Sequence, residues 1–169
     1  MDHSVDKPVK TGLSPIAFDD ATILILGTMP GEKSIENQEY YANRGNSFRK
    51  LLFGVFDENY SGSYLDFTRL LNRRRIALWN VIGSCRRNGS RDSTISDAVP
   101  NDIDTFLEKH PQIGMICFES KGAQVFYDRF FVRKSHIRYE TLLSASGLYA
   151  RIPFAGKLQQ WKSVLLSGN

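Results

Sequence analysis

An asparagine set among aromatic rings can hold a planar base and act beside it, and this sequence has one such stretch. Tyr40, Tyr41 and Phe48 flank Asn43-Arg44-Gly45-Asn46. Rings alternating with amides suit stacking on a base while its edge is hydrogen-bonded, each stacked base contributing about 1–3 kcal/mol. The Asn46 amide does not titrate, yet its oxygen can orient a water and its NH2 group can donate to a leaving group. Where the leaving group departs as a delocalised anion, positioning and electrostatics carry much of the rate without a tuned acid. Two plainer roles compete. Asn46 precedes a helix-period run and could cap it, and Phe48 could be a core position of that helix.

Upstream, Gly27-Thr28-Met29-Pro30-Gly31 offers exposed main chain. Glycine at both ends lets a ligand approach backbone N–H groups, and Pro30 stiffens the corner. Binding of a phosphate or base edge is one reading, and a plain strand-to-helix turn is the other. The stretch is neither a Walker loop nor a dinucleotide fingerprint, so nucleotide hydrolysis and hydride transfer lose their main support. His3, His110 and His136 fall outside the loops that would form a site, which disfavours Ser-His-Asp and Cys-His triads. Cys85 and Cys117 follow no metal spacing. A four-cysteine iron–sulfur site is therefore ruled out, and a reduced compartment is the default.

These residues need a scaffold. Four short apolar runs have strand length: Thr22 to Leu26, Ile76 to Val81, Ile113 to Phe118 and Ile137 to Leu143. Helix-period segments surround them at Ser47 to Phe56, Tyr64 to Arg74, Asp102 to His110, Gly122 to Phe131 and Gly156 to Leu166. Runs apolar on both faces predict a parallel sheet covered by helices on each side. Ligands of such sheets bind outside the strand carboxyl ends. That rule selects Gly27 to Asn46, Gly83 to Ser96, Glu119 to Gly122 and Ser144 to Arg151 as the loops that matter.

The 169 residues are expected to form one domain over 21–169, preceded by a flexible tail over 1–20. No apolar run approaches membrane-spanning length and the first ten residues are too polar for a secretory leader, so a cytoplasmic protein without a membrane partner is expected. The net charge of +4 biases the chain mildly toward phosphate-bearing partners. Arginines crowd three stretches: Arg69 with Arg73 to Arg75, Arg86 with Arg87 and Arg91, and Arg129 with Arg133, Lys134 and Arg138. Each is a candidate nucleic-acid contact, against the plainer reading of a solvated helix face.

The stretches "LGTMPGEKS...YYANRGNSF", "ALWNVIGSCRRNGSRDSTI" and "SASGLYAR" together resemble the uracil-DNA glycosylase superfamily, above all its hypoxanthine (deoxyinosine) branch. They match in order across about 125 residues, on three of the four predicted strand ends. The resemblance implies a three-layer α/β/α fold with a four-stranded parallel sheet. It also implies a monomer that flips a damaged base from double- or single-stranded DNA and cleaves its N-glycosidic bond without a metal or cofactor. Gly27, Thr28, Met29, Pro30 and Gly31 would then line the pocket, with Tyr41 and Phe48 around the base. The mismatch-specific branch has a catalytic asparagine where this chain has Met29, whereas the hypoxanthine branch places its asparagine before the x-Phe step, here Asn46. Ser146, Gly147 and Leu148 resemble a wedge loop, with Leu148 entering the vacated duplex space and Arg151 holding phosphate or the widowed partner. Asn80 and the segment carrying Ser84, Arg87, Ser90 and Asp92 would brace the pocket, against the alternatives of a surface loop and, for Asp92, an N-cap.

The chain departs from the family pattern in four further places: Arg49 for tryptophan, Asn80 for aspartate, Glu119 for asparagine and Ala145 for proline. They keep open a uracil or G:T/U mismatch preference, and also a lesion-binding protein without catalysis. No lysine stands at a motif position, so strand nicking through a Schiff base is not expected. A small-molecule enzyme on another doubly wound fold would need a phosphate-cradling loop that is not found.

Overall fold

Strands that are apolar on both faces must be covered on both sides, and the computed structural model, which describes residues 7–167, has that arrangement. In chain order the elements are β1 (Val9–Thr11), β2 (Ile23–Gly27), α1 (Glu32–Asn37), α2 (Phe48–Val55), α3 (Tyr64–Arg73), β3 (Ile76–Asn80), β4 (Ile82–Arg86), a 3-10 turn (Asp92–Thr94), β5 (Ser96–Pro100), α4 (Ile103–Lys109), β6 (Met115–Phe118), α5 (Lys121–Phe130), β7 (Arg138–Thr141) and α6 (Phe154–Leu165). Strands β3, β2, β6 and β7 form a parallel sheet in that order. Successive side chains of a strand point to opposite faces. Ile25, Leu78 and Cys117 accordingly meet Leu51, Phe67 and Trp161 of α2, α3 and α6, while Leu24, Leu26, Ile116 and Phe118 meet Ile103, Phe106 and Tyr127 of α4 and α5. The three-layer α/β/α architecture is the one expected.

Two expectations need correction. Residues 7–20 are not a loose tail: β1 pairs antiparallel with β4, Leu13 is buried, and Ile16 exchanges backbone hydrogen bonds with Leu78. Residues 1–6, the rest of that tail, and 168–169 lie outside the described residues. The stretch Gly83 to Ser96 is not all loop either. Strand β4 runs through Arg86 as the centre of a second, antiparallel sheet, β1-β4-β5. Its strands are short and largely polar, so they lack the apolar signature of the main sheet.

Candidate active site

A cleft of about 650 Å³ opens at the carboxyl ends of the parallel strands. Its inner wall is the Gly27 to Gly31 corner, held in place by two backbone bonds: Val81 N–H donates to Gly27 O (2.8 Å) and Ile82 N–H to Thr28 O (3.1 Å). A β-carbon on Gly27 would stand 2.7 Å from Asn80 Nδ2 and 3.1 Å from the Tyr41 hydroxyl. Glycine here is what lets an amide and a phenol converge on the floor. Asn80 lines the cleft and is buried, and among the described residues its Oδ1 has no hydrogen-bond partner.

Asn46 lines this cleft, and its Oδ1 accepts the Phe48 N–H at 2.8 Å. The N-cap of α2 is Ser47 and not Asn46 as expected; Asn46, one residue earlier, satisfies the first helical N–H, so a helix-start role and a cleft position coexist. A backbone N–H only donates, so the atom facing it is the oxygen, and the NH2 group is left for a ligand. Tyr41 lines the cleft with a left-handed backbone (φ 55°), a conformation that costs a non-glycine residue about 1 kcal/mol. Its ring stacks on Phe48 at 3.7 Å between centroids and 4° between planes. Phe48 itself does not reach the base pocket as expected. It begins the inward face of α2, is fully buried against Phe67 and Trp161, and backs Tyr41 from behind.

Arg87 supports the opposite side. Its guanidinium is buried and donates to Pro30 O (2.6 Å), Met29 O (3.5 Å), Gly89 O (3.0 Å) and Asp92 Oδ1 (3.3 Å). Burial pushes the Asp92 carboxyl above its ordinary range, and Arg87 opposes that. Ser90 Oγ accepts the Glu32 N–H that opens α1, and both Ser90 and Asp92 line the cleft. Ser84 does not. It sits within β4, paired with Thr11 and Val99, because the segment is a strand there.

On the outer rim, Ser146 Oγ accepts the Leu148 N–H and Ser146 O the Tyr149 N–H, making a turn that leaves Leu148 93% exposed at the mouth. Arg151 is exposed but does not line the cleft. Gly147 packs on the asparagine loop so closely that a β-carbon would lie 2.7 Å from Gly45 O. Gly147→Ala is expected to push the two loops apart and cut turnover at least about tenfold with little change in melting temperature, since one misplaced ångström is costly to geometry-limited chemistry. Unchanged kinetics would show that the loops move independently.

The residue range carrying this geometry, 15–164, matches the model of the Uracil DNA glycosylase superfamily. The chain belongs to that superfamily. Similar proteins include a hypoxanthine DNA glycosylase of Methanosarcina acetivorans, 32% identical over 92% of this chain and 98% of that one. Another, from Methanosarcina barkeri, is 30% identical over 84% and 89%. A candidate uracil DNA glycosylase from M. acetivorans, solved by NMR in solution, superposes with a TM-score of 0.81 at 32% identity, covering 94% and 97% of the two chains.

As a member of the superfamily, the chain accommodates its departures physically. Arg49 donates to Tyr40 O and the Tyr60 hydroxyl and lies 4.8 Å over the Tyr64 ring, so a cation fills an aromatic niche behind the Tyr40-Tyr41 loop. Glu119 and Ala145 meet each other: the Ala145 N–H donates to Glu119 Oε1 at 3.3 Å, a bond proline could not make. Ala145 O in turn accepts from Ser47 N (2.9 Å) and Oγ (3.2 Å), beside Asn46.

Glu119 and Lys33 line the cleft but were not among the expected pocket residues. Glu119 follows β6, a strand end that any α/β reading flags, while Lys33 sits in the short α1, which has no apolar period. Two arginine clusters spend their charge elsewhere. Arg73 to Arg75 and Arg138 line a second cavity at the amino ends of the strands and pair with Glu58, Asp20 and Glu140, and Arg133 and Lys134 pair with Asp128 and Asp104.

Proposed function

We propose that this protein is a monofunctional DNA glycosylase that extrudes a deaminated base, hypoxanthine first, and hydrolyses its N-glycosidic bond. One observation carries the reading: the free NH2 group of Asn46, the stacked Tyr41 ring and the buried amide of Asn80 line a single cleft, with an exposed leucine at its mouth. A flipped base needs a stacking wall, polar partners for its edge and a wedge for the gap it leaves. Hypoxanthine is favoured because two relatives of about 30% identity, aligned over most of this chain, carry that base in their names. In the proposed reaction Tyr41 holds the ring, Asn46 donates to the departing base as charge develops, and water reaches C1′ of the sugar.

A labelled duplex with one hypoxanthine tests this. The expected result is a strand break at that position only after alkali. No break with hypoxanthine, uracil, xanthine or a thymine mismatch would sink the reading, and a break before alkali would instead point to a Schiff base, with Lys33 the amine at the cleft. Leu148→Ala is expected to lower excision about tenfold on duplex and little on single strands, because unstacking costs a few kcal/mol only where a stack exists. Equal losses on both substrates would remove the wedge role.

A second reading has its own support. The Asn46 oxygen is already committed to α2, so the cleft could bind lesions without turning them over. Salt-dependent binding with intact substrate is its signature.

A further inference from the structure

Glu119 has no part in the reaction just described, yet its carboxyl lies in the floor of the cleft, 9% exposed. Its Oε1 accepts the Ala145 N–H, the Ser144 hydroxyl also faces the carboxyl, and none of the ion pairs among the described residues includes it. The titratable groups facing it are the Tyr41 hydroxyl from the loop before α2, Asp92 from the 3-10 turn and Lys157 from α6. Only the last is a cation, and its ammonium lies toward the Tyr149 ring. A carboxyl so placed has an oxygen to spare for a ligand and little in the protein to hold its charge.

We infer that Glu119 reads the extruded base in its neutral, protonated form, pairing with the N–H and C=O groups that deamination creates side by side on the ring. This rests on the excision reading above. A neutral carboxyl offers one donor and one acceptor, the complement of that edge. The ionised form offers acceptors only and faces the ring carbonyl with like charge. The contrast is larger in the transition state, where the departing base gains negative charge: an O–H donor stabilises it and a carboxylate opposes it. Burial, aided by Asp92, raises the Glu119 carboxyl to about 7 against the opposing effects of Ala145, Ser144 and Lys157. The active form is therefore present below about pH 7 and is lost as pH rises through it.

The test compares kcat/KM on a hypoxanthine duplex from pH 5.5 to 9 for wild type, Glu119→Gln and Glu119→Ala. Glutamine keeps an acceptor for Ala145 and a donor for the base but cannot ionise. The wild-type rate is expected to fall about tenfold per pH unit above the transition. Glu119→Gln should lie within about threefold of the wild-type low-pH rate and lack that fall, and Glu119→Ala should sit about 30-fold lower throughout, as for losing a hydrogen bond to developing charge. A wild-type profile flat through pH 7 overturns the inference, as does a fall that persists in Glu119→Gln, or a folded Glu119→Gln as slow as Glu119→Ala. Preference for the hypoxanthine duplex over an undamaged one, measured by fluorescence anisotropy across the same range, should weaken above pH 7 in wild type alone. That arm decides the inference even where no excision is seen, which is the separate failure of the excision reading.

Discussion

Asn46→Asp is expected to reduce single-turnover excision by about 10²–10³-fold while leaving the melting temperature unchanged or slightly raised. The substitution separates the two jobs of this side chain. Aspartate keeps the oxygen that accepts the Phe48 N–H, and a carboxylate at a helix N-terminus is itself stabilising by about 0.3–1 kcal/mol. What it removes is the NH2 group, which makes no hydrogen bond among the described residues, and in the proposed reaction it sets an anion beside the departing base. Loss of one aligned donor to a developing anion typically has this magnitude. Asn46→Ala should lose both jobs, adding about 1 kcal/mol of instability to the same loss of rate. A variant Asn46→Asp with wild-type kinetics would reduce the residue to a cap and move the search for the donor to Asn80 or Glu119.

The parallel sheet was legible because its signal is redundant. Ile23 to Gly27 and Met115 to Phe118 are apolar at every position that faces either helical layer, and their short length between turn residues distinguishes them from buried helix. Strands β1 and β5 carry no such mark. Val9–Thr11 and Ser96–Pro100 are half exposed, and what orders them is backbone pairing with β4, which has no residue code.

The same division runs through the site. Gly27, Pro30 and Asn46 could be placed at the cleft because strand ends and turn residues announce themselves. Phe48 and Ser84 were misplaced because one residue of helical or strand phase decides whether a side chain enters the cleft or turns away from it. Glu119 could be seen only as the first residue of a strand-end loop and a departure from a motif. Its meaning came from a bond to Ala145, 26 residues away in sequence and dependent on the tertiary fold.

The largest expected effect on stability falls on Arg87. Arg87→Ala should lower the free energy of unfolding by about 3–5 kcal/mol, seen as a lower urea midpoint at unchanged slope. No solvent reaches this guanidinium, so every bond it makes is made within the protein. Alanine would leave the carbonyls of Met29, Pro30 and Gly89 without their charged donor and Asp92 without its partner. Each such bond contributes about 1.5–3 kcal/mol, with overlap because they share one group. Arg87→Lys should recover only part of the loss, since an ammonium cannot span contacts that a planar fork reaches at once. Exposed Arg91 is the control, expected within about 0.5 kcal/mol of wild type as alanine. Excision should fall with stability in Arg87→Ala even where the protein remains folded, because the carbonyls Arg87 holds belong to the corner that walls the cleft. If Arg87→Ala matched Arg91→Ala in its urea midpoint, the corner would be held by the Val81 and Ile82 backbone bonds alone.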